Sequence, residues 1–201
     1  MNPTPTDLRK RLVAGSNRLA KMHEPVGDRD RPAIAAAVLV PLVQTADGWQ
    51  LLFIRRAVNP DDAHSGQVAF PGGRRESADA DLEATALREA HEEIGLADQH
   101  VTLIGRLPEL ISTTRYHITP FVGLMRWPYP LRLARNEVAR AFTMPLSWLA
   151  DERNREVYHY ATPSGVIPVI RFRAYDGELL WGATARITVS LLRALDYSDR
   201  R

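Results

Sequence analysis

The stretch Arg88-Glu89-Ala90-His91-Glu92-Glu93-Ile94-Gly95-Leu96 holds the residues of this chain best suited to chemistry. On a helix, at about 100° per residue, Glu89, Glu92 and Glu93 fall within one narrow arc, with Arg88 at its edge and Leu87, Ala90 and Ile94 turned elsewhere. Like charges at i,i+3 and i,i+4 cost a helix roughly a few tenths of a kcal/mol per pair. A divalent cation would offset that repulsion, and Mg²⁺ or Mn²⁺ prefers hard oxygen ligands of this kind. Just ahead, Pro71-Gly72-Gly73 reads as a sharp turn that lets backbone carbonyls and N–H groups come close to a ligand, with Arg74 and Arg75 beside it. Glu89, Glu92 and Glu93 are therefore assigned to metal binding, with the carbonyl of Gly73 as a further donor. Arg55 and Arg74 are the arginines assigned to substrate phosphates, against a solvated basic edge as the plainer reading. An acidic helix face with one arginine is by itself usually a solvated surface held by ion pairs. The glycine turn before it and Gly95 after it tip the balance toward a metal.

Positioning those carboxylates requires a helix with one apolar side. Leu82, Ala86, Ala90 and Ile94 recur at i,i+4, which predicts a helix from Asp81 to Ile94 with Gly95 as its C-cap; Glu83 falls on the apolar arc as a misfit. An earlier helix runs from about Asp7 to Lys21, with Thr6-Asp7 as N-cap, followed by a loop from Glu24 to Pro32. Ile34 to Val43 and Trp49 to Arg55 read as a hairpin around Ala46-Asp47-Gly48, and Gln67 to Phe70 as a short strand after a polar loop from Asn59 to Gly66. Val101 to Leu107, His117 to Met125, Glu156 to Ala161 and Val166 to Tyr175 read as further strands, Pro145 to Ala150 as a short helix. Gly182 to Leu195 closes the chain as an amphipathic helix with Ile187, Leu191 and Leu195 on one side. Strands between helices give an α/β sandwich.

The totals set bounds on function. A length of 201 residues favours one domain, residues 1–201, with 1–33 as an N-terminal helix and loop. Twenty-six Lys and Arg against 24 Asp and Glu leave a formal charge of +2, too small to imply a nucleic-acid partner, and no aromatic residues interleave with a basic stripe. The absence of cysteine excludes disulfides, thiolate metal sites and a cysteine nucleophile. The longest apolar run, Ile34 to Val43, is interrupted by Pro41 and is far too short to span a bilayer. Met1 to Asp7 has no secretory pattern, so a soluble cytoplasmic protein without a membrane partner is expected. His64, His91, His100, His117 and His159 lack paired metal spacing. For oligomeric state only the base rate speaks: a two-fold homodimer, with the N-terminal helix or an exposed strand as candidate surface.

Gly73 through Leu96 resembles the Nudix box, G-x5-E-x7-R-E-U-x-E-E-x-G-U with U aliphatic. Arg88, Glu89, Ala90, Glu92, Glu93, Gly95 and Leu96 stand where the pattern wants them. Gly73 lies one residue further from Arg88 than the pattern allows, and Ala80 occupies the place of its first glutamate, flanked by Asp79 and Asp81. This spacing is similar to that of the coenzyme A pyrophosphatase branch, whose F-P-G-G matches Phe70 to Gly73 and whose T-A-L-R-E-A matches Thr85 to Ala90. From that branch's preceding signature Leu51, Leu52, Arg55, Gly66 and Phe70 match, while Phe53 and Arg56 replace a threonine and a serine, two extra residues follow Arg56, and Asn59 to Asp62 stand where a second arginine belongs. Further matches lie at His64 to Ala69, Ile118 to Gly123, Pro145 to Leu149 and Trp181 to Ala185.

The resemblance implies a Nudix-type α/β/α sandwich with a mixed sheet between helices, and Mg²⁺- or Mn²⁺-dependent hydrolysis of a diphosphate in a small-molecule nucleotide. Coenzyme A or its derivatives come first among substrates, giving 3',5'-ADP and 4'-phosphopantetheine. It also makes Glu89 the first choice to orient or deprotonate the attacking water, although it cannot be ligand and free base at the same instant. Arg88 belongs to the catalytic set as the residue that orients a carboxylate. Glu137 is a candidate carboxylate from a distant loop. Two other readings stand beside this one: a pyrophosphatase for ADP-ribose or another nucleotide sugar, motivated by the altered Asn59 to Asp62 segment, and a non-catalytic module that senses a nucleotide.

Overall fold

The structure is a computed structural model that describes residues 3–22, 33–60, 64–162 and 165–197. The expected loop from Glu24 to Pro32 lies outside the described residues, as do residues 61–63 of the altered segment. Helix α1 spans Pro5–Met22. Its cap is Thr4 rather than the expected Thr6-Asp7: the Thr4 N–H and hydroxyl donate to Asp7 Oδ2 at 3.0 and 2.7 Å, and the Asp7 N–H donates back to Thr4 Oγ1 at 3.2 Å. Each short polar side chain thus satisfies the other's backbone donor, which Thr6, already inside the first turn, is not placed to do.

Strands β1 (Ile34–Thr45) and β2 (Gly48–Arg56) form the expected hairpin, with Thr45 opposite Gly48. Their mutual pairing covers only Leu42 to Thr45, and beyond it the hairpin opens. Into the gap run β3 (Val68–Ala69), antiparallel to β2 at Ile54-Arg55, and β4 (Gly72–Arg74), antiparallel to β1 at Ala36 to Val38. Gly72 and Gly73 are therefore strand residues, not the turn expected from Pro71-Gly72-Gly73. Helix α2 follows at Leu82–Ile94. The other edge of β1 pairs in parallel with β7 (Tyr116–Met125), which also pairs antiparallel with β5 (Val101–Arg106) and the two-residue β6 (Leu110–Ile111). Strand β8 (Val138–Pro145), which has no strong strand pattern in the sequence, runs antiparallel along β2. Then come α3 (Leu146–Ala150), the separate hairpin β9 (Arg155–Thr162) and β10 (Gly165–Phe172), and α4 (Gly182–Ala194).

Period-two alternation distributes the strand side chains between two cores. Val40, Leu42, Leu51 and Phe53 face Leu8 and Leu12 of α1 and Leu191 and Leu192 of α4. Ala37, Leu39, Leu52 and Ile54 face Ala86, Ala90 and Ile94 of α2. The result is an α/β sandwich with a mixed eight-stranded sheet between helices. Glu83 is exposed, which removes the misfit in α2. Among the described residues, no helix is long and apolar enough to cross a membrane.

Candidate active site

Helix α2 is held at both ends, and what holds it also assembles the acidic face. At the N-terminus Asp81 caps, its Oδ1 accepting from the Ala84 N–H at 2.9 Å. Asp79 is buried beside it and accepts from Arg88 Nε (2.8 Å) and Nη2 (3.1 Å), from the Glu76 N–H (2.9 Å) and from the Thr85 hydroxyl (2.9 Å). Paired with the Arg88 guanidinium in this way, its carboxyl is held well below the ordinary carboxylate range. Arg88 reaches further, to Glu92 Oε2 at 2.9 Å, Glu89 Oε1 at 3.0 Å and the Arg74 carbonyl at 3.1 Å. Asp79 thus fills the place left by Ala80 in the motif, as a partner of Arg88 from one residue away.

At the C-terminus Gly95 adopts φ 70°, the left-handed conformation that closes a helix. The segment from Tyr129 to Val138 supplies donors for three further carbonyls: Arg132 N–H to Ile94 at 2.9 Å, Ala134 N–H to Glu93 at 3.0 Å, and the Tyr129 hydroxyl to Gly95 at 2.9 Å. This docking, together with the Ala57 N–H bonded to the Glu137 carbonyl at 2.7 Å, brings Glu137 close enough to act electrostatically on Glu89 and Glu93.

The three helix carboxylates are not equivalent. Glu93 is only 2% exposed, with Oε2 accepting from the Gly72 N–H at 3.0 Å and Oε1 at 3.9 Å from Arg56 Nη1. Burial, reinforced by Glu89 and Glu137 and opposed by the Gly72 N–H and Arg56, pushes its carboxyl up to about 8. Glu89 is partly buried and also shifted upward, by burial first, against the pull of Arg88. It rests on β4: a Cβ built on Gly73 would lie 2.5 Å from Glu89 Oε1, and one on Gly72 would collide with the Ala37 carbonyl. Both glycines are needed for β4 to fit between β1 and α2. The Glu92 side chain is 55% exposed and turned to Arg88.

The structure therefore brings Glu89, Glu93, Gly73 and Arg88 together, with Glu92 at the outer edge. Arg74 is exposed at the end of β4 and joins through its carbonyl. Arg55 lies elsewhere, 3.7 Å from the buried Glu178, which also accepts from Arg140 Nη1 at 3.0 Å. The neighbouring Arg56 is the arginine that reaches Glu93. A register shift between Arg55 and Arg56 where β2 pairs with β8 occurs at this point, and no pattern of residue types announced it. Among the described residues, no three acidic or histidine side chains are gathered at cation-ligand spacing. The donor set nonetheless suits a hard divalent cation: carboxylates crowded on glycine backbone, one of them buried with its charge only partly offset.

Comparison with known proteins bears on the same region. The NUDIX domain profile matches residues 33–162. The Nudix hydrolase NudL of Salmonella paratyphi B is 38% identical over 168 residues, 82% of each chain, and NudL of Salmonella newport matches to the same extent. Among solved structures, the Nudix hydrolase RenU from M. smegmatis is 25% identical with a TM-score of 0.50, over 62% of this chain and 78% of its own.

Proposed function

The chain belongs to the NUDIX family of hydrolases, and on that premise we propose that it hydrolyses the diphosphate bond of a nucleoside diphosphate derivative, with coenzyme A or its derivatives first among substrates. The observation that carries the reading is the pairing of buried Glu93, bonded to the Gly72 N–H, with Glu89 resting on Gly73. Glu93, Glu89 and the Gly73 carbonyl would hold Mg²⁺ or Mn²⁺, with Glu92 and Glu137 as outer carboxylates. When bound, such a cation neutralises diphosphate charge and makes a nearby water more acidic. Glu89 is the residue positioned to orient that water or take its proton. Arg88 acts as a positioning residue: fixed by Asp79, it sets the direction of Glu89 and Glu92. Burial disfavours the ionised form of Glu93, so its negative charge would be held in the site by a cation bound beside it.

Preference for coenzyme A rests on the sequence matches from His64 to Gly73 and Thr85 to Ala90. His64 is fixed there by Gln67 and Thr114, each at 3.1 Å from a ring nitrogen. Incubation with Mg²⁺ or Mn²⁺ and a panel of coenzyme A, ADP-ribose, NADH and dinucleoside polyphosphates tests the reading. Release of 3',5'-ADP and 4'-phosphopantetheine from coenzyme A is the expected result. Efficient turnover of ADP-ribose with none of coenzyme A would replace the substrate and keep the reaction.

A further inference from the structure

On the side of the sheet opposite α2, a cavity of about 90 Å³ is bounded by Leu19 of α1, Leu110 of β6, Ile170 of β10 and, on α4, Arg186, Ser190 and Arg193. The last three stand at i, i+4 and i+7 and so share one helix face. The Ser190 hydroxyl is buried and makes no hydrogen bond. Arg186 is half-buried, burial lowers its pKa, and no carboxylate among the described residues pairs with it. Glu109 also borders the cavity, but its carboxylate is engaged, 2.8 Å from His117 Nε2 and accepting from the Thr119 hydroxyl at 3.4 Å.

A guanidinium drawn partly out of water without a counter-charge loses solvation and gains nothing in return. A buried hydroxyl without a partner is in the same position. One ligand removes both deficits: an oxyanion, which accepts two donors from an arginine fork and one from a serine. The cavity exceeds the space that a single water needs, and apart from Glu109 and these three residues of α4 its walls are apolar.

We propose that this cavity binds a small oxyanion, held by Arg186, Arg193 and the Ser190 hydroxyl, at a site separate from the carboxylates of α2. Inorganic phosphate is the probe, titrated calorimetrically into the 201-residue protein without divalent cations and at constant ionic strength. Saturable one-site binding is expected, weakened at least about tenfold by Arg186→Gln or Arg193→Gln, less by Ser190→Ala, and unchanged by Arg74→Gln beside the catalytic helix. Arg193 is exposed, so its variant keeps the test valid should Arg186→Gln fold poorly. Phosphate should also raise the Tm of the parent by about 2–4 °C and leave that of Arg186→Gln unmoved. Sulfate and acetate titrations in parallel separate a tetrahedral oxyanion from a carboxylate. Absence of saturable binding, or binding that neither arginine variant weakens, would overturn the proposal.

Discussion

Glu93 shows what a buried carboxylate costs its host. Its side chain is removed from water, yet its hydrogen bond is one backbone N–H and its nearest cation is 3.9 Å away. Glu93→Gln keeps an acceptor for Gly72 and replaces a carboxyl whose ionised form burial disfavours, so its Tm should be no lower than the parent's. Turnover should fall by about 10²–10³-fold, read from initial rates at saturating substrate. Asp79 is the opposite case, a buried carboxylate with a full set of donors. Asp79→Asn should cost about 2–3 kcal/mol in urea unfolding, as expected for hydrogen bonds to a charged partner. Because the folded-state pKa of Asp79 lies below its ordinary value near 3.8, its contribution to stability is present above that value and is lost as pH falls through the lowered one. The acid limb of the stability profile should therefore be shallower in Asp79→Asn than in the parent. The glutamate pattern was legible because helical periodicity is written locally. That Asp79 would partner Arg88, and Arg56 rather than Arg55 would reach Glu93, was not, since both depend on strand register and loop path.

At the scale of elements, the site depends on β4 filling the open mouth of the β1–β2 hairpin and on the Tyr129 to Val138 segment docking on the end of α2. Gly73→Ala places a methyl group against the Glu89 carboxylate. It should lower kcat by at least about tenfold while the Tm falls by only a few degrees, since the collision is with a side chain at the site and not with the core. Tyr129→Phe removes one bond to the Gly95 carbonyl and one from the Ala97 N–H, and should cost about 1–2 kcal/mol, measured by denaturant unfolding. Elements carried by their own periodicity, α2, α4 and the first hairpin, could be read directly. Strand β8 could not: Val-Ala-Arg-Ala-Phe-Thr-Met-Pro alternates weakly and carries Arg140, which is accommodated by its bonds to Asp176 and Glu178. Strand β4 is three residues long with two glycines, and only its slot between β1 and α2 makes it a strand.

At the scale of the molecule, the helices divide the labour. Helix α2 carries the proposed chemistry on one side of the sheet, while α1 and α4 pack together on the other. Gly15 marks the closest approach of that second layer, since a Cβ there would collide with the Ala194 carbonyl. Gly15→Ala should destabilise the fold by about 1–3 kcal/mol, seen as a lower Tm, and leave kcat below the transition unchanged because α2 stands apart from the strained contact. The α/β sandwich itself was readable from alternating strands and amphipathic helices. The splayed hairpin that creates the site was not, because it is set by pairing between segments far apart in sequence. The decisive measurement is metal-dependent hydrolysis of coenzyme A by the parent protein and by Glu89→Gln. The expected result is turnover with Mg²⁺ or Mn²⁺ that EDTA abolishes and that Glu89→Gln lowers by about 10³-fold with folding intact. Turnover by Glu89→Gln equal to the parent, or no metal-dependent cleavage of coenzyme A or any other nucleoside diphosphate derivative, would contradict the proposed role of the α2 carboxylates.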